Sequence, residues 1–212
     1  MLRYDPLLSF KEGKMGKKRL VFGVGVNDAD YPVNPRVAGK IKACPYYTAW
    51  TSMLRRAYSA VYQVNQPTYV DVEVSSDWLT FSNFKSWMEQ QDWEGKSLDK
   101  DLLLKGNKLY GPEFCMFVPQ SVNSFMTERG SLRGEWPIGV HFRKQSGRFQ
   151  AECRNLKGSK KHLGMFDCPQ EAHRAWLTEK LRQAKILASE QSDPRISAAL
   201  IRRYEEYHEK DN

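Results

Sequence analysis

The sequence has no pair of cysteines at Cys-x-x-Cys spacing and no Cys/His cluster. Its four cysteines, Cys44, Cys115, Cys153 and Cys168, stand far apart, which excludes a structural zinc site of the usual ligand spacing. They read as reduced, semi-buried thiols of a cytosolic protein. No apolar run approaches the roughly 20 residues needed to cross a bilayer. The opening MLRYDPLLSFKEGKMGKKRL lacks an h-region followed by a small-residue cleavage site. The expectation is a soluble, cytoplasmic chain with no membrane partner. Acidic residues are also in deficit, 25 Asp plus Glu against 33 Lys plus Arg, for a formal charge of +8. That balance favours a polyanionic partner over an acidic substrate or a neutral one, with nucleic acid first. The run GVGV lacks the last glycine and the following helix of a dinucleotide loop, so it carries little weight as one.

What is present is enough to fold. Aromatic residues make up 12% of the 212-residue chain, six of them Trp, too many for a disordered sequence. Single cores serve about 100 to 200 residues, so two units are expected. Residues 1–40 mix the basic run KEGKMGKKR with turn formers and read as a flexible arm, with a phosphate-backbone clamp as the other reading. From Cys44 the spacing of Tyr46, Trp50, Met53, Leu54, Ala57, Tyr58 and Val61 predicts one core-facing helix with Arg55 and Arg56 on its flank. TYVDVEV alternates as a strand. Ser75 or Ser76 then caps a helix whose apolar face is Trp78, Phe81, Phe84, Trp87 and Met88.

The stretch LDKDLLLKGNKLYGPEFCMFVPQSVNSF reads as strand, loop, strand and short helix. LDKDLLL is the first strand. FCMFV is a second, buried on both faces, and Pro119 starts a helix carrying Val122, Asn123 and Phe125. In such a ββα unit a carboxylate at the base of strand one and a polar helix side chain converge, where a hard cation accepts oxygen ligands. By charge pattern alone, Asp99, Lys100 and Asp101 are a solvated strand end. The stretch nevertheless resembles the His-Asn-His (HNH) nuclease unit of phage-encoded and homing endonucleases, with CPYYTAWTSMLRRAYS and DWLTFSNFKSWM preceding it. The resemblance implies a single metal, Mg²⁺ or a similar divalent cation, held by Asp99 and Asn123, with Asn107 as the loop-orienting Asn. Lys100 falls where the family's water-activating His stands. Neutral imidazole suits base catalysis at pH 7, whereas a lysine starts near 10.4. Asp101 is the substitute base, yet on a strand it shares a face with Asp99, opposite Lys100. An active nuclease and a relic both stay open.

The last third carries the charge. Ile138, Val140 and Phe142 alternate with polar neighbours, as do Phe149, Ala151 and Cys153, so one face of a small sheet packs and the other is cationic. Arg129, Arg133, Arg143, Lys144, Arg148, Arg154, Lys157, Lys160 and Lys161 stand against only Glu135 and Glu152 between Arg129 and Phe166, which points to phosphate contact. The segment resembles the APETALA2/ethylene-response-factor-type domain in Gly139-Val140, Arg143, Gly147-Arg148, Ala151-Glu152, Arg154, Leu163-Gly164, Phe166 and Glu171-Ala172. Phe149 and His162 stand where Trp is usual. That family lays a three-stranded sheet in the major groove of DNA, which implies duplex contacts from Arg129, Arg133, His141, Arg143, Lys144, Arg148, Gln150, Arg154, Lys160, Lys161 and His162. Pro169 opens a helix to about Gln191, buried on Ala172, Ala175, Trp176, Leu181, Ala184 and Leu187. Asp193-Pro194 start a last helix, which docks on the domain or pairs two copies into a homo-dimer.

The expected fold is α+β: an N-terminal segment (1–40), an HNH-like ββα-metal domain (41–127), and a three-stranded antiparallel sheet on a helix with further C-terminal helices (128–212). The expected function is a phage-type HNH-like endonuclease that hydrolyses phosphodiesters of double-stranded DNA, in the host cytoplasm if phage-encoded. The alternative is a catalytically inactive DNA-binding protein of HNH descent. A third reading is an interaction protein for RNA or an acidic partner.

Overall fold

The structure, a computed structural model, describes residues 20–127 and 135–210, the last five as backbone only. Within the segment expected to be a flexible arm, residues 21–33 are placed against the core through five side chains; residues 1–19 lie outside the described part. Val21, Val24, Ala29, Tyr31 and Val33 pack on the aromatic core. Val26 bridges to Thr80, and Asp28 accepts from both the backbone and the hydroxyl of Ser82. Gly25 shows why the GVGV run is glycine-rich there: a Cβ at this position would lie 2.4 Å from Leu54 Cδ1 and 2.9 Å from the Trp50 ring. Two short strands follow, β1 (Arg36–Val37) and β2 (Lys40–Ile41), paired as a hairpin.

Helix α1 (Pro45–Tyr58) buries Trp50, Met53, Leu54 and Ala57 as the periodicity requires. The single helix expected to reach Val61 is interrupted at Ser59. This residue is extended, and its hydroxyl accepts from Tyr62 N to start α2 (Ala60–Asn65). A serine that caps competes with helix continuation, and Val61 is left 77% exposed. Strand β3 (Glu73–Val74) leads through a 3-10 turn to α3 (Phe81–Met88). The helix therefore starts after Thr80 rather than at Ser75 or Ser76, and Trp78 enters the core from the turn, where its carbonyl accepts from buried Trp50 Nε1 at 2.7 Å.

The ββα unit follows. Strand β4 (Lys96–Asp99) pairs antiparallel with β6 (Met116–Pro119), and β5 (Leu109–Tyr110) pairs parallel with β3. Met116, Phe117 and Val118 are all buried, so β6 is covered on both faces, and α4 (Gln120–Met126) leaves from Pro119. The first strand is shorter than LDKDLLL. It ends at Asp99 because that carboxylate accepts from the backbone N–H groups of Asp101 and Leu102, at 2.8 and 2.7 Å, and so fixes a turn in place of a strand ladder.

Strands β7 (Val140–Arg143), β8 (Arg148–Arg154) and β9 (Lys160–Phe166) form the expected antiparallel sheet in that order. Helix α5 (Pro169–Ser189) lies across one face, starting from Cys168, whose sulfur accepts from Glu171 N. Gly139 (φ +81°) is required where the chain enters β7, since a Cβ would sit 2.0 Å from the Trp176 ring. Helix α6 (Pro194–Lys210) folds back on α5.

The boundary expected at residue 127 is crossed by shared cores. Leu102, Met116, Val118 and Val122 of the ββα unit pack with Leu187 and Ala188 of α5 and Ile196, Ala199 and Leu200 of α6. Phe125 and Met126 pack with the group around Trp176, Leu177 and Tyr204. The apolar face of α6 that sequence analysis offered to a second copy is thus used within the chain. Among the described residues no helix is long and apolar enough to cross a membrane. Because Leu200 is fully buried in the shared cluster, Leu200→Ala should lower stability by about 2–5 kcal/mol. Unfolding followed by Trp fluorescence and by far-UV CD should stay coincident in wild type; separate transitions would contradict a shared core.

Candidate functional site

The side chains selected from the sequence in the ββα unit do converge. Asp99, Lys100, Asp101, Asn107 and Asn123 line one cleft of about 440 Å³. Its walls also include Tyr69, Lys105, Lys108, Thr127 and, from the far end of the chain, Arg203. Arg203 was not singled out in the sequence. Its only local signal is the Arg202-Arg203 pair on the flank of an amphipathic helix, and nothing in that pattern reveals what α6 packs against.

The geometry is set by burial of Lys100, which is 5% exposed. Its Nζ donates to both carboxylate oxygens of Asp101 at 2.8 Å and to the carbonyl of Asn107 at 2.7 Å. The rings of Tyr69 and Tyr110 flank it, with centroids 6.0 and 5.9 Å away. Three acceptor oxygens match the three donors of an ammonium group, and an ammonium nitrogen has no lone pair with which to take a proton from water. Asn107 does orient the loop. Its Nδ2 donates to the carbonyls of Lys100 (2.9 Å) and Leu109 (2.7 Å), and its Oδ1 accepts from Leu109 N. The Asp99 carboxyl is pushed up from its ordinary range by burial, against which the two backbone N–H bonds act.

These contacts decide how a metal would fit. Among the described residues no group of three or more His, Cys, Asp and Glu side chains comes together to hold one. Both Asp101 oxygens already hold an ammonium ion, and Asp99 Oδ1 already takes two N–H groups. As arranged, Asp101 could join the ligands of a divalent ion only by giving up Lys100, which leaves Asp99 and Asn123 as the side chains that would hold one. No catalytic step through a metal is therefore derived.

The second group of residues lies on the three-stranded sheet. Register pairs Arg143 with Arg148, His141 with Gln150, Gln150 with Met165, Glu152 with His162 and Arg154 with Lys160. All of these share the face away from α5, because antiparallel partners point the same way. Exposed arginines on it are buttressed: Arg148 Nε by Asp167 at 2.8 Å, Arg154 by the Gly158 carbonyl at 2.9 Å, and Arg143 by Gln150. Lys160 pairs with Glu152 at 3.1 Å. Lys144 is exposed in the β7–β8 turn.

Lys161 is on the other side. It registers with buried Cys153, and its Nζ meets Glu179 of α5 at 2.9 Å. Glu179 also accepts from Arg182 and Gln183, and Arg182 first among these partners holds its carboxyl down at about 2. Lys161 thus braces the helix. The physical cause is the irregularity between Ala151 and Glu152, where β9 inserts one extra residue and reverses which of its side chains face outward. Arg129 and Arg133 lie outside the described residues. His173 Nδ1 donates to the Ile138 carbonyl (2.8 Å) and its ring stacks on Trp176, a boundary role.

Compared with protein-family models, with curated proteins and with solved structures, the chain matches none.

Removing the Lys100 ammonium leaves the Asn107 carbonyl and the Asp101 carboxylate without their donor. Asp101 is half exposed and regains water, so Lys100→Ala should cost about 2–3 kcal/mol in a urea titration. An unchanged midpoint would contradict the structural role of the ammonium.

Proposed function

We propose that the protein binds double-stranded DNA through the outer face of β7, β8 and β9, and that its ββα unit is a frame rather than a hydrolytic centre. The observation that carries this reading is the outer ladder of Arg143, Arg148, Arg154 and Lys160 around His141, Gln150 and His162, relieved only by Glu152 and Asp167. Buttressed guanidinium forks suit two-point contact with phosphate or with guanine. His141 and Gln150 stand between them, where side chains can reach base edges while the outer cations set register on the backbone.

The frame reading rests on Lys100. A nuclease of the HNH type needs a group that takes a proton from water, and at that position the chain holds an amine with three acceptors around it. A second reading, an HNH-like endonuclease using Mg²⁺, is favoured by the gathering of Asp99, Asp101, Asn107 and Asn123 in one cleft. Asp101 can serve it only once Lys100 has left that carboxylate.

Fluorescence anisotropy of a labelled duplex titrated across salt concentrations tests the binding reading. Affinity should persist in EDTA and fall steeply with salt. Arg143→Ala combined with Arg154→Ala should weaken it by at least about 10-fold and flatten the log–log salt slope by roughly 2. Affinity and slope equal to wild type would remove the sheet from the interface.

A further inference from the structure

The hairpin β1–β2 has no place in the site described above, yet its form is unusual. Residues 36–43 are all exposed in sequence order, but they are held in a defined two-residue turn. Ala38 and Gly39 occupy it with φ of 49° and 77°, the left-handed pair of a tight hairpin turn, which a non-glycine residue adopts at some cost. Its base is clamped: Lys42 N donates to the Pro35 carbonyl and Cys44 N to the Val33 carbonyl, both at 2.8 Å. Below the clamp, Val33 and Cys44 belong to the aromatic core. The ribbon is thus a rigid projection from a packed base.

Its tip carries two kinds of side chain. Val37 is 55% exposed and Ile41 62% among the described residues. Register joins Arg36 to Ile41 and Val37 to Lys40, so each face of the ribbon presents one cation beside one aliphatic group. Residues 35–43, PRVAGKIKA, contain no acid, and neither Arg36 nor Lys40 has an ion-pair partner among the described residues. Two strand residues per side make a hairpin too short to be stabilised by its own pairing. Burial of the tip does not explain it, and neither does an ion pair of Arg36 or Lys40 among the described residues.

We infer that the β1–β2 hairpin is a second duplex-DNA contact, a ribbon that enters a groove tip-first so that its two faces meet the two groove walls, Arg36 and Lys40 each on the phosphates of one wall and Ile41 and Val37 each beside them on apolar edges of bases and sugars. The inference rests on the proposed DNA binding by the sheet. Duplex DNA is the occupant that fits both halves of the pattern. Its major groove admits a two-stranded ribbon, its backbone supplies the anions, and thymine methyl groups offer apolar contact to an aliphatic side chain. An acidic protein surface would use the charges but gives no reason for a projecting, preformed ribbon.

The salt titration of the full-length chain on the labelled duplex separates the two proposals. The hairpin variant is Arg36→Ala with Lys40→Ala, compared with wild type and with the sheet variant Arg143→Ala with Arg154→Ala. Far-UV CD and the thermal midpoint of the hairpin variant should equal those of wild type, since both side chains are exposed. The inference expects the hairpin variant to lose about 1.8 from the magnitude of the log–log slope, near 0.9 per phosphate contact, and to bind the duplex at least about 10-fold more weakly at physiological salt. A photo-crosslinking residue at Val37 should label a DNA strand. A slope and affinity unchanged in the hairpin variant while the sheet variant loses both would overturn this inference and leave the sheet reading standing. Loss in the hairpin variant alone would uphold the hairpin and overturn the sheet. No duplex binding by wild type would overturn both.

Discussion

A buried ammonium group fixes the centre of the ββα unit. Taking a lysine out of water is unfavourable unless its charge and donors are met, and here Asp101, the Asn107 carbonyl and two tyrosine rings meet them. The constraint runs outward through the loop. For its carbonyl to reach Nζ, the Asn107 backbone must be held. Its own side chain does this by closing on Lys100 and Leu109. For Asp101 to present both oxygens, the chain must turn away after β4. The Asp99 carboxylate arranges that by accepting from Asp101 and Leu102. Asp99, Asp101 and Asn107 thus form a polar knot around an internal cation.

The knot lies beside a core that the ββα unit does not complete alone. Leu102, just after the Asp99 turn, is buried against β6, α4 and the two C-terminal helices. Val118 and Val122, which line the cleft, belong to the same cluster. The helix bracing the three-stranded sheet and the unit holding Lys100 are therefore parts of one packed body, with Arg203 of α6 at the cleft and Arg202 donating to the Leu103 carbonyl at 2.9 Å. Such a body can hold the sheet and the N-terminal hairpin in a fixed relation, which lowers the ordering cost of binding an extended partner.

Much of this was legible in local pattern. Continuous apolar character revealed β6, alternation revealed β7 and β8, and a Pro at the first helical position marked both C-terminal helices. Convergence of Asp99, Asn107 and Asn123 was readable because the ββα topology brings strand end, loop and helix together. What was not legible depended on long-range partners. Ser59 ends a helix by a hydrogen bond that periodicity does not register. Lys161 faces inward because one extra residue in β9 reverses its alternation, a change that a strict period of two hides. Glu179, Lys180 and Gln183 are buried although their types predict exposure, and only the contacts with Lys161, Arg182, Phe125 and Tyr204 explain why. The same holds for Lys100: its sequence neighbours make it look like a solvated strand end, and its role comes from Asn107 and the tyrosines.

The claim that the ββα unit frames DNA binding without cutting is tested most directly by incubating supercoiled plasmid with the protein in Mg²⁺ or Mn²⁺. The account predicts that wild type retards the plasmid and leaves it supercoiled. Metal-dependent nicking that EDTA stops and Asp99→Ala abolishes would contradict it.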